Sequence, residues 1–238
     1  MGLCSNLIFF LFFLTSGCEF GGKFYFNENV NIFIGQLVLT VKVKTMDPDL
    51  IIKNVARHIQ LNNDERNFFL SLLQAKKIKR RDYLLKPGEI CRYEHFILQG
   101  CLRTYTIDDE GMEHIVMFGI EDWWVGDLYS FLTQTPANFF IDALEDTEIL
   151  QISKSNLDNL YVKVPKFERL FRILFQNAFI AQQRRINQNL ALTAEQRYMD
   201  FIEKFPMLEQ RISQKQISSY LGITPVFLSM LRRKLAGK

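Results

Sequence analysis

Thr224, Val226, Phe227, Ser229, Met230, Arg232 and Arg233 crowd into one short stretch near the end of the chain, with Ser213 and Gln214 just before it. These residue types suit contact with a nucleic-acid duplex. Hydroxyls and amides exchange hydrogen bonds with base edges or phosphates, guanidinium groups hold phosphate, and apolar side chains touch thymine methyls. Such contacts need a rigid element to carry them, and the local sequence supplies one. Ser213 followed by Gln216 makes a capping box that starts a helix. Gly222 suits a turn needing positive φ, Thr224 can cap a second helix, and Pro225 sits at its first position, where no N–H is missed. Ile217, Leu221, Ile223, Leu228, Leu231 and Leu235 fall where a small inner core requires them, and Ser218, Ser219, Thr224 and Ser229 are read as an outer polar face. The pattern is a helix-turn-helix, whose second helix enters the DNA major groove.

Other chemistry has little support. The four cysteines stand at 4, 18, 91 and 101 and the three histidines at 58, 95 and 114, with no metal-ligand spacing. No cofactor is expected, Cys91 and Cys101 are read as reduced interior thiols, and no nucleophile elbow, Walker loop or H-E-x-x-H marks an enzyme. A net charge of +3 is too small to announce nucleic acid. Its distribution says more: residues 184–238 carry ten Lys/Arg against four Asp/Glu, whereas residues 46–183 carry sixteen against twenty. A basic C-terminal unit below an acidic one suits a DNA-binding module under a separate sensor.

The elements upstream can be read from patterning. Helical spacing predicts helices at about 48–59 and 63–75. Residues 76–153 then hold short β-like runs at 78–85, 95–98, 102–107, 114–118, 123–125, 139–144 and 149–152, separated by turn signals such as Asp108 to Gly111. Ser153 or Ser155 opens a short helix to about Val162. Pro165 starts a long one to about 190, whose Phe167, Leu170, Phe171, Leu174, Phe175, Phe179 and Ile186 are expected to form a dimer seam. Thr193 with Gln196 caps a further helix to about Phe205. Residues 1–45 do not match this texture. The apolar run at 7–14 is too short to span a bilayer and lacks the basic flank of an export signal, and a second apolar patch covers 32–41. Met46 is therefore expected to be the natural start, with residues 1–45 a non-native or disordered extension; a true export signal is the rival reading.

The order of elements, together with residues 85–90 (LKPGEI), 96–103 (FILQGCLR), 126–128 (GDL), 143–149 (ALEDTEI) and 221–225 (LGITP), resembles the Crp/Fnr superfamily of transcription regulators, and its compact end is similar to the Bacteroidetes-type members. The resemblance implies an α+β chain. A double-stranded β-helix, a jelly-roll-like β-roll flanked by helices, forms a cyclic-nucleotide-binding-like sensor at 46–160. A long dimerisation helix follows at 161–190, and an all-α helix-turn-helix domain at 191–238. It implies a cytoplasmic homodimer that binds double-stranded DNA and acts with RNA polymerase, under an unidentified small-molecule effector and without a membrane. In members that bind cyclic AMP, a phosphate cassette reads Gly-Glu-Leu and then Arg-Ser or Arg-Thr. Here the aligned residues are Gly126, Asp127, Leu128, Ala137 and Asn138, with no arginine, so a cyclic phosphate loses its guanidinium partner and no cyclic-nucleotide response is expected. Trp123, Trp124, Phe131, Phe139 and Phe140 crowd the same region; they fill the roll as an empty scaffold, or line a site for a lipid-like or aromatic effector. Val226 and Met230 replace the family's base-reading Glu and Arg, so sequence preference is expected to be weak, A·T-leaning or carried by DNA shape. Alternatives are a scaffold protein with a decayed helix-turn-helix, or a true cyclic-nucleotide-responsive regulator.

Overall fold

The computed structural model describes the backbone of residues 29–34 and 37–42, and residues 47–237 with Ala236 by backbone alone. The apolar run at 7–14, Cys4, Cys18 and Met46 lie outside the described residues. The chain divides between Thr45 and Met46 into two units. In the first, β1 (Asn29–Ile34) and β2 (Leu37–Lys42) pair antiparallel, with Asn29 opposite Lys42. Residues 32–34 and 37–41 of the apolar patch thus lie in a strand pair.

The second unit opens with α1 (Asp49–Ala56) and α2 (Asn63–Ser71), both shorter than their periodicity predicts. Asn62 caps α2 in a reciprocal box with Glu65. Eight strands follow: β3 (Gln74–Ile78), β4 (Tyr83–Leu85), β5 (Tyr93–Gln99), β6 (Leu102–Ile107), β7 (Glu113–Gly119), β8 (Trp124–Val125), β9 (Phe140–Ala143) and β10 (Thr147–Ser153). The run expected as one strand at 78–85 is two strands, because the chain reverses at Arg81, whose φ is +73°. The strands form two antiparallel sheets, β3-β10-β5-β8 and β4-β9-β6-β7, which close into the expected roll. Asp108 builds the β6–β7 turn, its Oδ1 accepting from the N–H groups of Glu110 and Met112.

Short helix α3 (Leu128–Thr133) crosses between β8 and β9, and α4 (Lys154–Lys163) follows β10 with Ser153 as its N-cap. The long helix α5 (Lys166–Ala191) starts just after Pro165. The last domain comprises α6 (Ala194–Lys204), α7 (Leu208–Arg211), α8 (Gln214–Leu221) and α9 (Pro225–Ala236). The capping boxes of Thr193 and Ser213 both form.

Two cores result. The first fills the roll and takes in α1, α2, α4 and the start of α5, where Phe69 and Phe167 pack at 4.7 Å. The second lies on the other face of β6 and β7: Cys101, Tyr105, Ile115 and Phe118 pack against Phe201, Phe205, Leu208, Ile217, Leu221, Leu228 and Leu231. A bulge makes this second face possible. Thr104 pairs with Met117 and Tyr105 with Ile115, so Val116 is the extra residue and Ile115 and Phe118 share a face despite their odd spacing.

The seam expectation is corrected here. Phe167, Leu170 and Phe171 are interior residues of the roll, and Leu174 and Phe175 lean on the same core. Only further along α5 does the apolar row reach solvent, at Phe179, Ile180, Ile186 and Leu190. Like the start of many long helices, the first turns of α5 serve their own chain.

Candidate nucleic-acid interface and ligand cassette

The helix-turn-helix is built as its residues dictate. Gly222 adopts φ +65° between α8 and α9, and Thr224 Oγ1 accepts from the N–H of Phe227 at 3.2 Å. Ile217, Leu221, Leu228 and Leu231 are buried beneath. Val226 is 70% exposed, Met230 53% and Phe227 43%, so α9 turns an apolar row outward.

The polar candidates divide. Ser229 donates to Gln214 Oε1 at 3.2 Å, tying α9 to α8. Ser213 and Thr224 are exposed caps. Arg233 is exposed and makes no ion pair among the described residues. Arg232, by contrast, holds Glu209 at 2.9 Å, and Glu209 also accepts from Tyr198 Oη at 2.7 Å. Its guanidinium is therefore engaged inside the domain. The outer polar face is corrected as well. Ser218 is buried and donates to Lys215 O, while Ser219 turns toward the roll.

That turn of Ser219 is a feature the sequence reading missed. β7 is an edge strand, with backbone groups that no neighbouring strand can satisfy. Ser219 Oγ donates to Glu113 O at 2.5 Å and accepts from Ile115 N at 3.0 Å. Arg185 of α5 donates from Nη2 to Ile115 O at 2.7 Å and to Tyr220 O at 3.0 Å, with its guanidinium 3.9 Å from the Tyr220 ring centre. Arg211 completes the junction: it donates twice to Glu121 at 2.9 Å and also to Glu145, holding two turns of the roll. These ion partners push Arg211 up and Glu121 down, despite the opposing cost of burial. The only sequence signal was the presence of acidic turns at 121 and 145, which spacing alone cannot pair with Arg211.

The cassette residues come together around α3. Asp127 is buried and caps the helix, its Oδ1 accepting from Ser130 N at 3.1 Å. Leu128 is half-buried, Ala137 is buried with its N–H donating to Glu89 O at 2.8 Å, and Asn138 is exposed. The guanidinium nearest in sequence, Arg103, is turned elsewhere: it meets Asp142 at 2.8 and 2.9 Å and Glu113 at 2.6 Å, over the Tyr105 ring. The aromatic group splits between the cores. Trp124 and Phe131 belong to the first, Trp123 and Phe140 to the second.

Glu94 stands beside this cassette, just before the residues first read as strand. It is buried on β5, its carboxyl against Gly126, and burial followed by the nearby Asp127 charge pushes it up to about 8. Its neighbour His95 is pushed down to about 4 by burial, although Nδ1 donates to Val125 O at 3.0 Å. Cys91 and Cys101 are free, buried thiols, pushed up to about 11 and about 12 mainly by burial, which makes them poor nucleophiles. Among the described residues no group of three or more His, Cys, Asp and Glu could hold a metal ion, and no helix is long and apolar enough to cross a membrane.

Residues 75–163 match the family model for the cyclic nucleotide-binding domain. The chain is 28% identical over 197 residues to the anaerobic regulatory protein of Haemophilus influenzae, covering 77% of this chain and 75% of that protein. It is also 28% identical over 200 residues to the fumarate and nitrate reduction regulatory protein of Vibrio cholerae, covering 77% of each. Among solved structures, FixK2 from Bradyrhizobium japonicum superposes with a TM-score of 0.63 at 15% identity, over 69% of this chain and 85% of that one. The c-di-GMP responsive regulator CLP of Xanthomonas campestris gives 0.61 at 14% identity, over 74% and 92%.

Proposed function

From a chain that carries a cyclic nucleotide-binding domain and is closely similar to regulators of the Crp/Fnr family, we propose a DNA-binding transcription regulator that works as a homodimer in the cytoplasm and is not an enzyme. The observation that carries the reading is α9: a capped, buried-backed helix that exposes Val226, Phe227 and Met230 to solvent. Val226, Phe227 and Met230 supply apolar contact to thymine methyls, Thr224 and Ser229 hydroxyl contacts, and Arg233 a phosphate contact. Arg232 supports the domain through Glu209. The partner subunit is expected on the outer half of α5, at the exposed row Phe179, Ile180, Ile186 and Leu190. Residues 46–160 act as sensor, and α5 and residues 191–238 transmit and read.

Selection of bound duplexes from a random pool tests this reading. We expect enrichment of A·T-rich sites. Arg233→Ala should weaken binding across all sequences and lower the salt slope by about one. Retention of no DNA by the parent protein would overturn the assignment. Cyclic AMP and cyclic GMP should give no heat in titration calorimetry, because Ala137 and Asn138 stand where a guanidinium would be needed; micromolar binding of either would contradict that part.

A further inference from the structure

Two buried acids stand side by side at the cassette, Asp127 within it and Glu94 against Gly126. Glu94 and Asp127 are 5% and 4% exposed. Asp127 Oδ1 is occupied by Ser130 N, but Asp127 Oδ2 and Glu94 Oε1 are both buried and accept no hydrogen bond. The carboxyl of Glu94 lies directly on the backbone of Gly126: a methyl group there would fall 2.8 Å from Oε1 and 2.9 Å from Oε2. Glycine at 126 thus makes room for a carboxyl of the chain itself. Neither acid has an ion pair among the described residues. The titratable groups that act on the pair are each other, the Cys91 thiol from the loop before β5, and Tyr161 on α4. All of these are acids, neutral when protonated and negative when ionised, so none of them supplies a positive charge to the two carboxyls.

Two carboxylates in such a site cannot both remain ionised at ordinary cost. We propose that Glu94, buried against Gly126 and next to Asp127, keeps a proton in the folded protein, and that this proton is the ligand the site is built to hold and release. This rests on reading residues 46–160 as the sensor. Held, the proton keeps the buried Glu94 carboxyl neutral. Lost to solvent, it leaves a carboxylate against Gly126 with no ion pair among the described residues, and its charge bears on Tyr161. The consequence travels along packed rings: Trp124, two residues before Gly126, packs on Phe96 at 5.3 Å and on Phe171 of α5 at 5.3 Å, and Phe171 meets Tyr161 at 5.8 Å. Release of the proton therefore acts on the root of the long helix.

Infrared difference spectroscopy of the full chain reads the proton directly. A buried carboxylic-acid C=O band is expected at pH 6.5, lost by pH 9.5 and absent in Glu94→Gln, with tryptophan fluorescence changing over the same pH range. In Asp127→Asn, which keeps an oxygen to cap α3, the band should persist to a lower pH only, the transition falling by about one unit once the like charge is gone. Absence of the band at pH 6.5, its survival in Glu94→Gln, or an unmoved transition in Asp127→Asn would each overturn the proposal. Should Glu94→Gln not fold, the Asp127→Asn shift decides alone. DNA retention is measured in parallel at both pH values: its absence throughout would refute the regulator reading without touching the infrared result, and the reverse also holds.

Discussion

Glu94 and His95 are neighbours on β5, buried on opposite faces, and they respond to pH in opposite ways. The unfolded chain protonates His95 near 6.5, but the fold does so only near 4, so His95 lowers stability as pH falls through that window. Glu94 loses its proton near 4.5 unfolded and near 8 folded, so it lowers stability as pH rises through that window. Each contributes a slope of about 1.4 kcal/mol per pH unit. Between about 4.5 and 6.5 the two slopes oppose, and above 6.5 only the Glu94 slope remains. Urea midpoints recorded against pH should show this pair's contribution as a plateau followed by a fall. Glu94→Gln should abolish the fall, and His95→Gln should extend it down to about pH 4.5. A pH-independent midpoint in the parent from 6.5 to 8 would rule out the Glu94 contribution.

At the scale of elements, α8 is fixed by backbone chemistry at both ends and by one hydroxyl in the middle. Gly222 has φ +65° and nothing within 4 Å of the place a Cβ would take. Gly222→Ala should therefore cost only backbone strain, about 1 kcal/mol. Ser219→Ala should cost more, about 1–3 kcal/mol, because it strips partners from Glu113 O and Ile115 N on a covered strand edge. Faster hydrogen exchange at the Ile115 amide would report it, and Gly222→Ala should leave that amide protected. Equal effects at both positions would mean that Ser219 does not hold α8 to β7.

The whole molecule uses both ends of α5: its first turns complete the roll, and its outer turns leave the apolar row at Phe179, Ile180, Ile186 and Leu190 in solvent. Phe179 and Ile186 are 63% and 58% exposed, so replacing both by Glu costs the monomer little. Sedimentation of Phe179→Glu/Ile186→Glu should give a folded monomer where the parent gives a dimer. Phe171→Ala should instead unfold the roll, losing about 3–5 kcal/mol. A parent protein that sediments as a monomer would remove the outer helix as a seam. Arg211→Ala should loosen the docking of α6 to α9 on the roll, because it releases Glu121 and Glu145 together, and should raise protease sensitivity between α6 and α8 without lowering the stability of the roll.

The helices and their caps were legible in the chain because capping boxes, a turn glycine and Pro225 act over a few residues, and the strands because turn residues punctuate them. The roll followed from their order. Ser219, Arg185, Arg211 and the Val116 bulge were not legible, since each matters only once β7 lies against α8 and the turns at 121 and 145 come together. The same holds for Arg232, whose sequence position says phosphate but whose neighbour is Glu209, and for Phe167, Leu170 and Phe171, whose spacing suits a seam but whose side chains meet the roll first. Glu94 is the sharpest case: its type and position suggest a strand residue, and only the fold carries it away from water to a second acid and the bare backbone of Gly126. Local rules act through adjacent backbone groups and are written in sequence; burial and charge pairing depend on what distant segments bring, and are decided by tertiary structure.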